Sequence, residues 1–570
     1  MSAGISSARP SRANVLSVLA TSRAEGRIMK VSEAIAEILK REGVEVIFGY
    51  PRNAVLETAA AIGIRPIIVR QERVGVHMAD ALSRMTRGRK IGVFAMQHGP
   101  GTENAYGGVA QAYSESIPVL VLPQGYARRI AHIPDNYNAT VSMRDVSKHV
   151  EPINIAGEVG NVMRRAFTQL RNGRLRPVIV ELPWDVLPEE LEAPLDYHPS
   201  VSVRSGPDPE GIRVAAKMLV EAKRPVIYAG QGIHWADAYE ELRALAELLA
   251  IPVSTSLEGK SCFDETHPLA LGSGGAAVPG QLRHFLDEAD LIFGIGCSFS
   301  ETAFGVRMPA GKRVLHATLD PADINKSVPC EHALVGDAQL TLTALLAACR
   351  DLVDGPRDSA AIAAEIAEVE ARWMEGWLPI LTSDSAPMTP YRVLWELQKT
   401  VDVANTIITH DAGSPRDQLT PYWKSITPLS YIGWGKSTQL GYGIGLAMGA
   451  KLACPDKLCI NVWGDAAIGF TGTDFETAVR ERLPILSILL NNSAMAIELD
   501  IMPEATERFR ATDISGDYAA FARALGGYGE RVEKPADIAD AIRRGIAATE
   551  AGQPALIEFI TSKEKRASRL

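Results

Sequence analysis

Two short segments place metal-seeking oxygens at the ends of apolar runs. CINVWGDAAIGF closes one run with Gly464-Asp465-Ala466, and LPILSILLNN closes another with Asn491-Asn492. Runs of this kind read as buried strands. A carboxylate and a carboxamide then stand at the C-terminal ends of neighbouring strands, where open parallel sheets bind their ligands. One Asp oxygen, one Asn oxygen and a backbone carbonyl form a hard-oxygen set. Such a set suits Mg2+ or Ca2+ bridging a diphosphate. Glycine at 464 lets the backbone approach a phosphate. The helix expected after Ala466 offers its first N–H groups to the anion. A Gly-Asp pair alone is most often a turn; the Asn pair at the end of the following strand is what points to a metal.

Those strand ends need a scaffold, and the sequence alternates in the way that builds one. KVSEAIAEILKREGV carries apolar residues at helical spacing, and Gly43 ends it. VEVIFGYP, RPIIVRQE, KIGVFAM, IPVLVLP and RPVIVELP are short β-branched runs, separated by helical stretches such as GVHMADALSRM. Strands buried on both faces and alternating with helices predict parallel sheets. The fold class is therefore α/β, with three consecutive doubly wound parallel-sheet domains over 29–190, 205–350 and 386–560. Residues 191–210, rich in Pro and Ser, read as a linker. A helix is expected from about Trp235 to Leu249, and the acidic, Ala-rich AAIAAEIAEVEARWMEG reads as a connector. Residues 1–28 form an N-terminal extension without the long apolar core of a secretory signal. Residues 561–570 form a basic tail.

Composition narrows the function. The net charge of −9 gives no global attraction to nucleic acid. No apolar stretch approaches the ~20 residues that span a bilayer. The six cysteines form no CxxC pair. They read as small buried hydrophobes of a chain in a reducing compartment, the cytoplasm, and not as zinc ligands.

The GDA…NN pattern resembles that of thiamine-diphosphate enzymes, whose usual form is GDG followed at this spacing by N or NN. Here Ala466 stands at the third position. IIVRQERVGVHMADALSRM is similar to the family's strand–Glu–helix segment and places Glu72 at its cofactor-activating glutamate. A carboxyl against the pyrimidine N1′ favours the imino tautomer, which can take the thiazolium C2 proton. STQLGYGIGLAMGA resembles the segment that bends the cofactor, with Leu440 as the apolar wedge. The Thr438 carbonyl and the Leu440 N–H would then hold the aminopyrimidine. GYGIG does not directly follow a strand, which disfavours a dinucleotide loop. QHGPGTENAYGGVAQAYSESIPVLVLPQGY is similar to the family's Gly-Pro-Gly segment, with Gln97, His98 and Gln124 in the substrate pocket. The resemblance covers about residues 29–560. It implies pyrimidine-binding, central and diphosphate-binding domains, with thiamine diphosphate and Mg2+ as cofactors. Asp465, Asn492 and Ala494 would hold the metal. Ser414, Gly464, Ala466, Ala467 and Met495 would join Thr438, Leu440 and the metal set around the cofactor. In this family the cofactor lies between two subunits, so a homodimer is the minimum and a homotetramer is expected.

Within the family, GDAAIGFTGTDFETAVRERLP looks like oxalyl-CoA decarboxylases and 2-hydroxyacyl-CoA lyases, through the small residue after Gly-Asp and the aromatic turn. Glu498, in NNSAMAIELD, favours the lyases. A carboxylate there can remove a substrate hydroxyl proton and let a C–C bond break. The expected reaction is cleavage of a 2-hydroxyacyl-CoA to formyl-CoA and an aldehyde or ketone, with Glu72 and Glu498 catalytic. Lys563, Lys565 and Arg566, with Arg569, would close over an acyl-CoA and meet its phosphates. Arg307 and Lys312 are further CoA contacts. Two alternatives stand beside this one: acetolactate-synthase-like carboligation or decarboxylation of 2-oxo acids, and a cofactor-binding protein without catalysis.

Overall fold

The computed structural model describes residues 28–569. The extension expected over 1–28 therefore lies outside the described residues, apart from Ile28. The architecture is three parallel six-stranded sheets, each flanked by helices.

The first sheet contains β1 (Val46–Gly49), β2 (Arg65–Ile68), β3 (Gly92–Met96), β4 (Val119–Gly125), β5 (His149–Pro152) and β6 (Val178–Pro183). Its order is β2-β1-β3-β4-β6-β5. The second contains β7 (Pro225–Ala229), β8 (Val253–Thr255), β9 (Ala270–Ser273), β10 (Leu291–Ile295), β11 (Arg313–Thr318) and β12 (His332–Val335). Its order, β12-β11-β10-β7-β8-β9, is the dinucleotide-fold order and reverses direction between β7 and β10. The third contains β13 (Thr406–His410), β14 (Tyr431–Ile432), β15 (Leu458–Gly464), β16 (Leu486–Asn491), β17 (Tyr528–Val532) and β18 (Ala555–Ile560). It runs β14-β13-β15-β16-β18-β17, the strand order of the first sheet repeated.

The first and third sheets share one core. The Glu72–Met85 helix packs on the Tyr442–Ala453 helix. Small residues allow the approach: a Cβ on Gly449 would strike the Met78 carbonyl, and one on Gly445 would strike His77. Phe48, Phe94, Tyr442 and Trp463 belong to the same buried cluster.

One local expectation is corrected. The helix expected from Trp235 to Leu249 is two helices, Gly232–Ala236 and Tyr239–Leu249. They are divided at Asp237, whose φ of 57° is left-handed and cannot continue a helix. The 191–210 linker is anchored: Tyr197 is buried and its hydroxyl donates to Glu42 at 2.5 Å. No helix among the described residues is long and apolar enough to cross a membrane.

Candidate functional site

β15 and β16 pair in parallel with Gly464 opposite Leu490, so Asp465 and the Asn pair emerge side by side at one edge. Successive side chains of a strand point to opposite faces. Asn491 turns inward, donating from Nδ2 to Glu558 at 2.7 Å, which leaves Asn492 to face outward. Asp465 is 3% exposed. Its Oδ1 accepts the Ala466 N–H at 3.0 Å and its Oδ2 accepts the Ala494 N–H at 3.2 Å. The Asn492 side-chain oxygen accepts the same Ala494 N–H at 3.0 Å. Asp465, Asn492 and Ala494, expected to act together, are thus brought together.

No lysine or arginine pairs with Asp465 among the described residues. Burial raises its pKa, and the backbone N–H bonds only partly offset this. A buried carboxylate without a cationic partner is costly unless a cation arrives. Oxygen donors and an uncompensated charge fit Mg2+. The described residues hold no cluster of three or more His, Cys, Asp or Glu side chains suited to a metal. A Cβ on Gly464 would touch nothing nearer than 3.9 Å, so the space beside Asp465 is open.

Ser414 begins a short helix next to this edge. Pro415 lies 3.9 Å from the Cβ direction of Gly464, and Ile497 lies 3.6 Å from that of Gly413. The segment after Asn492 therefore folds over the Ser414 turn. Met495 donates its N–H to the Thr512 carbonyl, and Glu498 donates its N–H to the Met495 carbonyl. The Glu498 side chain, on a 3-10 turn, is half-buried.

Thr438 and Leu440 sit on a loop fixed at both ends. Asp411 accepts the Gly441 N–H at 2.9 Å and the Gly443 N–H at 3.0 Å. Gly441 has φ 86°, a value that glycine adopts freely. From the first domain, Gln111 accepts the Gln439 N–H at 3.1 Å and His77 bonds the Gln439 side chain at 3.0 Å. Asp411, Gln111 and His77 were not foreseen. A strand ending in His-Asp-Ala-Gly was the one local sign of Asp411.

Glu72 is buried at the start of its helix. Burial raises its pKa, and Asn104, donating to Oε2 at 3.2 Å, opposes the shift. The adjoining Arg70 N–H donates to Asp474 at 2.9 Å, tying the Glu72 turn to the segment after Asp465. Gln97, His98 and Gln124 lie around the ends of β3 and β4, on the C-terminal edge of the sheet that Glu72 follows after β2. His98 packs edge-on against Tyr126 and Trp184 at 4.7 and 4.8 Å.

The basic tail is docked. Lys565 pairs with Asp500, and Arg566 stacks on Trp377 at 4.3 Å. Ser568 is buried, donating to the Val278 carbonyl at 2.7 Å and accepting from Trp373 at 3.0 Å. Arg569 reaches Asp417 at 3.1 Å, while Lys563 is exposed.

A cavity of about 640 Å³ lies away from Asp465, where the central sheet reverses order between β7 and β10. That is the crevice in which such sheets bind ligands. Gln231, Glu258, Ser298, Phe304, Arg307 and Lys436 line it. Lys312 is not among the lining residues; it donates to the Asp287 carbonyl.

Three family models match the chain. "Thiamine pyrophosphate enzyme, N-terminal TPP binding domain" covers residues 29–148, the central domain of that family covers 212–345, and its C-terminal TPP binding domain covers 411–559. The chain belongs to the thiamine pyrophosphate enzyme family. Its cofactor is thus thiamine diphosphate, with Mg2+ typical of such enzymes. Among its relatives, a probable acetolactate synthase large subunit of Methanococcus aeolicus is 30% identical over 557 residues, covering 93% of this chain and 92% of the relative. The acetolactate synthase isozyme 3 large subunit of Escherichia coli is 32% identical over 488 residues, 81% of this chain and 82% of the relative. An acetolactate synthase of Mycobacterium bovis is 28% identical over 559 residues, 94% and 88% respectively.

Proposed function

We propose that this thiamine pyrophosphate enzyme makes or breaks a carbon–carbon bond beside a carbonyl, with a 2-oxo acid as its substrate class. The observation that carries the chemistry is the buried Asp465 carboxylate, without a cationic partner, at the strand ends. The relatives' name, acetolactate synthase, carries the substrate class and puts carboligation ahead of the lyase reading. Bound there, thiamine diphosphate supplies an electron sink for charge that develops on a carbonyl carbon. Asp465, Asn492 and the Ala494 carbonyl hold the metal, and Gly464, Ala466, Ala467 and Ser414 border the diphosphate. Thr438 and Leu440 position the ring, with Asp411 and Gln111 holding their loop. Asn104 engages Glu72 Oε2, and the Glu72 carboxyl would exchange a proton with the aminopyrimidine.

One observation favours a second reading, the 2-hydroxyacyl-CoA lyase. The Glu498 segment folds over the Ser414 turn, since Ile497 touches Gly413. In that arrangement the half-buried Glu498 carboxylate, one residue on from Ile497, would face the site. In that reading Glu498 takes the 2-hydroxyl proton, and the central cavity with Arg307 holds the nucleotide of the thioester.

A mass-spectrometric screen of the protein with thiamine diphosphate and Mg2+ separates the readings. Acetolactate from pyruvate is expected. Formyl-CoA from a 2-hydroxyacyl-CoA, with no product from pyruvate, would overturn the lead in favour of the lyase. No product from any of pyruvate, oxalyl-CoA or 2-hydroxyacyl-CoAs, with cofactor bound, would leave a non-catalytic binder.

A further inference from the structure

Glu115 closes the Pro100–Ser114 helix at the junction of all three domains and is fully buried. Its Oε1 accepts the Gly435 N–H at 3.1 Å, the Lys436 N–H at 2.8 Å and the Gln111 amide at 3.2 Å. Its Oε2 is buried with no hydrogen-bond partner. The carboxylate thus grips the start of the loop whose later residues are Thr438 and Leu440, while half of its acceptor capacity faces nothing.

The charges around it explain that imbalance. Glu258, on the loop after β8, repels it from the central domain. Arg84 from the Glu72–Met85 helix and Lys436 from the gripped loop attract it. Arg84 is already engaged by Asp80 at 2.6 Å and bonded to Tyr442 at 3.3 Å. Glu258 and Lys436 both line the central cavity. Burial, and next the repulsion from Glu258, push the Glu115 carboxyl up to about 7.

We infer that Glu115 is a positioning residue whose protonation state sets how firmly the Gly435–Gly441 loop holds the thiamine ring. As a carboxylate, it makes charge-assisted bonds to two backbone N–H groups, roughly twice as strong as neutral ones. As an acid, Glu115 makes only neutral hydrogen bonds, and the grip of Oε1 weakens. Glu258 and Lys436 make this state sensitive to charge in the central cavity.

The inference rests on the thiamine reading above, and calorimetry of thiamine diphosphate binding in excess Mg2+ tests both. For the parent protein, affinity is expected to fall about tenfold as pH drops through about 7. Glu115→Gln is expected to bind at the low-pH level throughout, with no inflection. Glu258→Gln, which leaves the loop contacts intact, is expected to move the inflection to lower pH by removing the like charge. A flat parent profile, an inflection retained in Glu115→Gln, or one unmoved in Glu258→Gln would overturn the inference. If Glu115→Gln does not fold, the Glu258→Gln shift decides. No binding by the parent at any pH would instead overturn the thiamine reading, and the inference with it.

Discussion

At the residue scale, buried carboxylates decide what the site can hold. Asp465 is desolvated and lacks a cationic partner, so its charge is tolerated best when a metal is present. Asp465→Ala should lose more than about a hundredfold in cofactor affinity, since even residues that only orient metal ligands are worth 10–100-fold. Calorimetry in Mg2+ buffer checks this; parent-like affinity would remove Asp465 from the metal set. Glu498 discriminates between substrates. If the 2-oxo acid reading holds, Glu498→Gln should keep its cofactor affinity and lose less than about tenfold in acetolactate formation, because a 2-oxo acid substrate carries no 2-hydroxyl proton for it to remove. A loss of about 10²–10⁴-fold in cleavage of a 2-hydroxyacyl-CoA would mark a general base and support the lyase.

At the element scale, residues legible in the sequence are those whose role is set by their own strand or helix. Asp465 and Asn492 were legible because each ends an apolar run, and strand ends are where parallel sheets work. Glu72 was legible through the flanking pattern of its strand and helix. Glu115 was not: it meets Gly435 across 320 positions, and nothing near either residue announces the other. The same holds for His77 and Gln439, 362 positions apart. In the sequence, STQLGYGIGLAMGA shows only its resemblance to the segment that bends the cofactor; its Gly445 and Gly449 form the face by which one helix lies against another. Gly449→Ala should therefore cost about 1–3 kcal/mol, the range for overpacking a close interface. Denaturant unfolding would show it, whereas a change at exposed Gly469, where a Cβ meets nothing, should cost far less.

At the scale of the whole molecule, the alternation of strands and helices foretold three parallel sheets, but not their orders. That the first and third sheets share one order, and the central sheet has another, depends on crossovers that periodicity does not encode. The central cavity was missed for the same reason: residues from all three domains enclose it. Exposed apolar side chains follow both ligand motifs, Phe470 after Asp465 and Ile501 and Phe509 after Asn492, with Ile501 72% and Phe509 73% exposed. Only where such side chains form one contiguous patch do they mark a surface that packs against a partner. Light scattering should give at least twice the mass of one chain; a monomer that turns over substrate would contradict a site shared between copies.

Catalysis under either reading depends on activation of bound thiamine diphosphate through Glu72. Proton–deuterium exchange at C2 of the bound cofactor measures that step alone, without any choice of substrate. The parent protein should exchange far faster than free cofactor. Glu72→Gln, which keeps the shape but cannot exchange a proton with the ring, should bind nearly normally and exchange about 10²–10⁴-fold more slowly. Exchange by the parent no faster than free cofactor, or by Glu72→Gln as fast as the parent, would contradict the account.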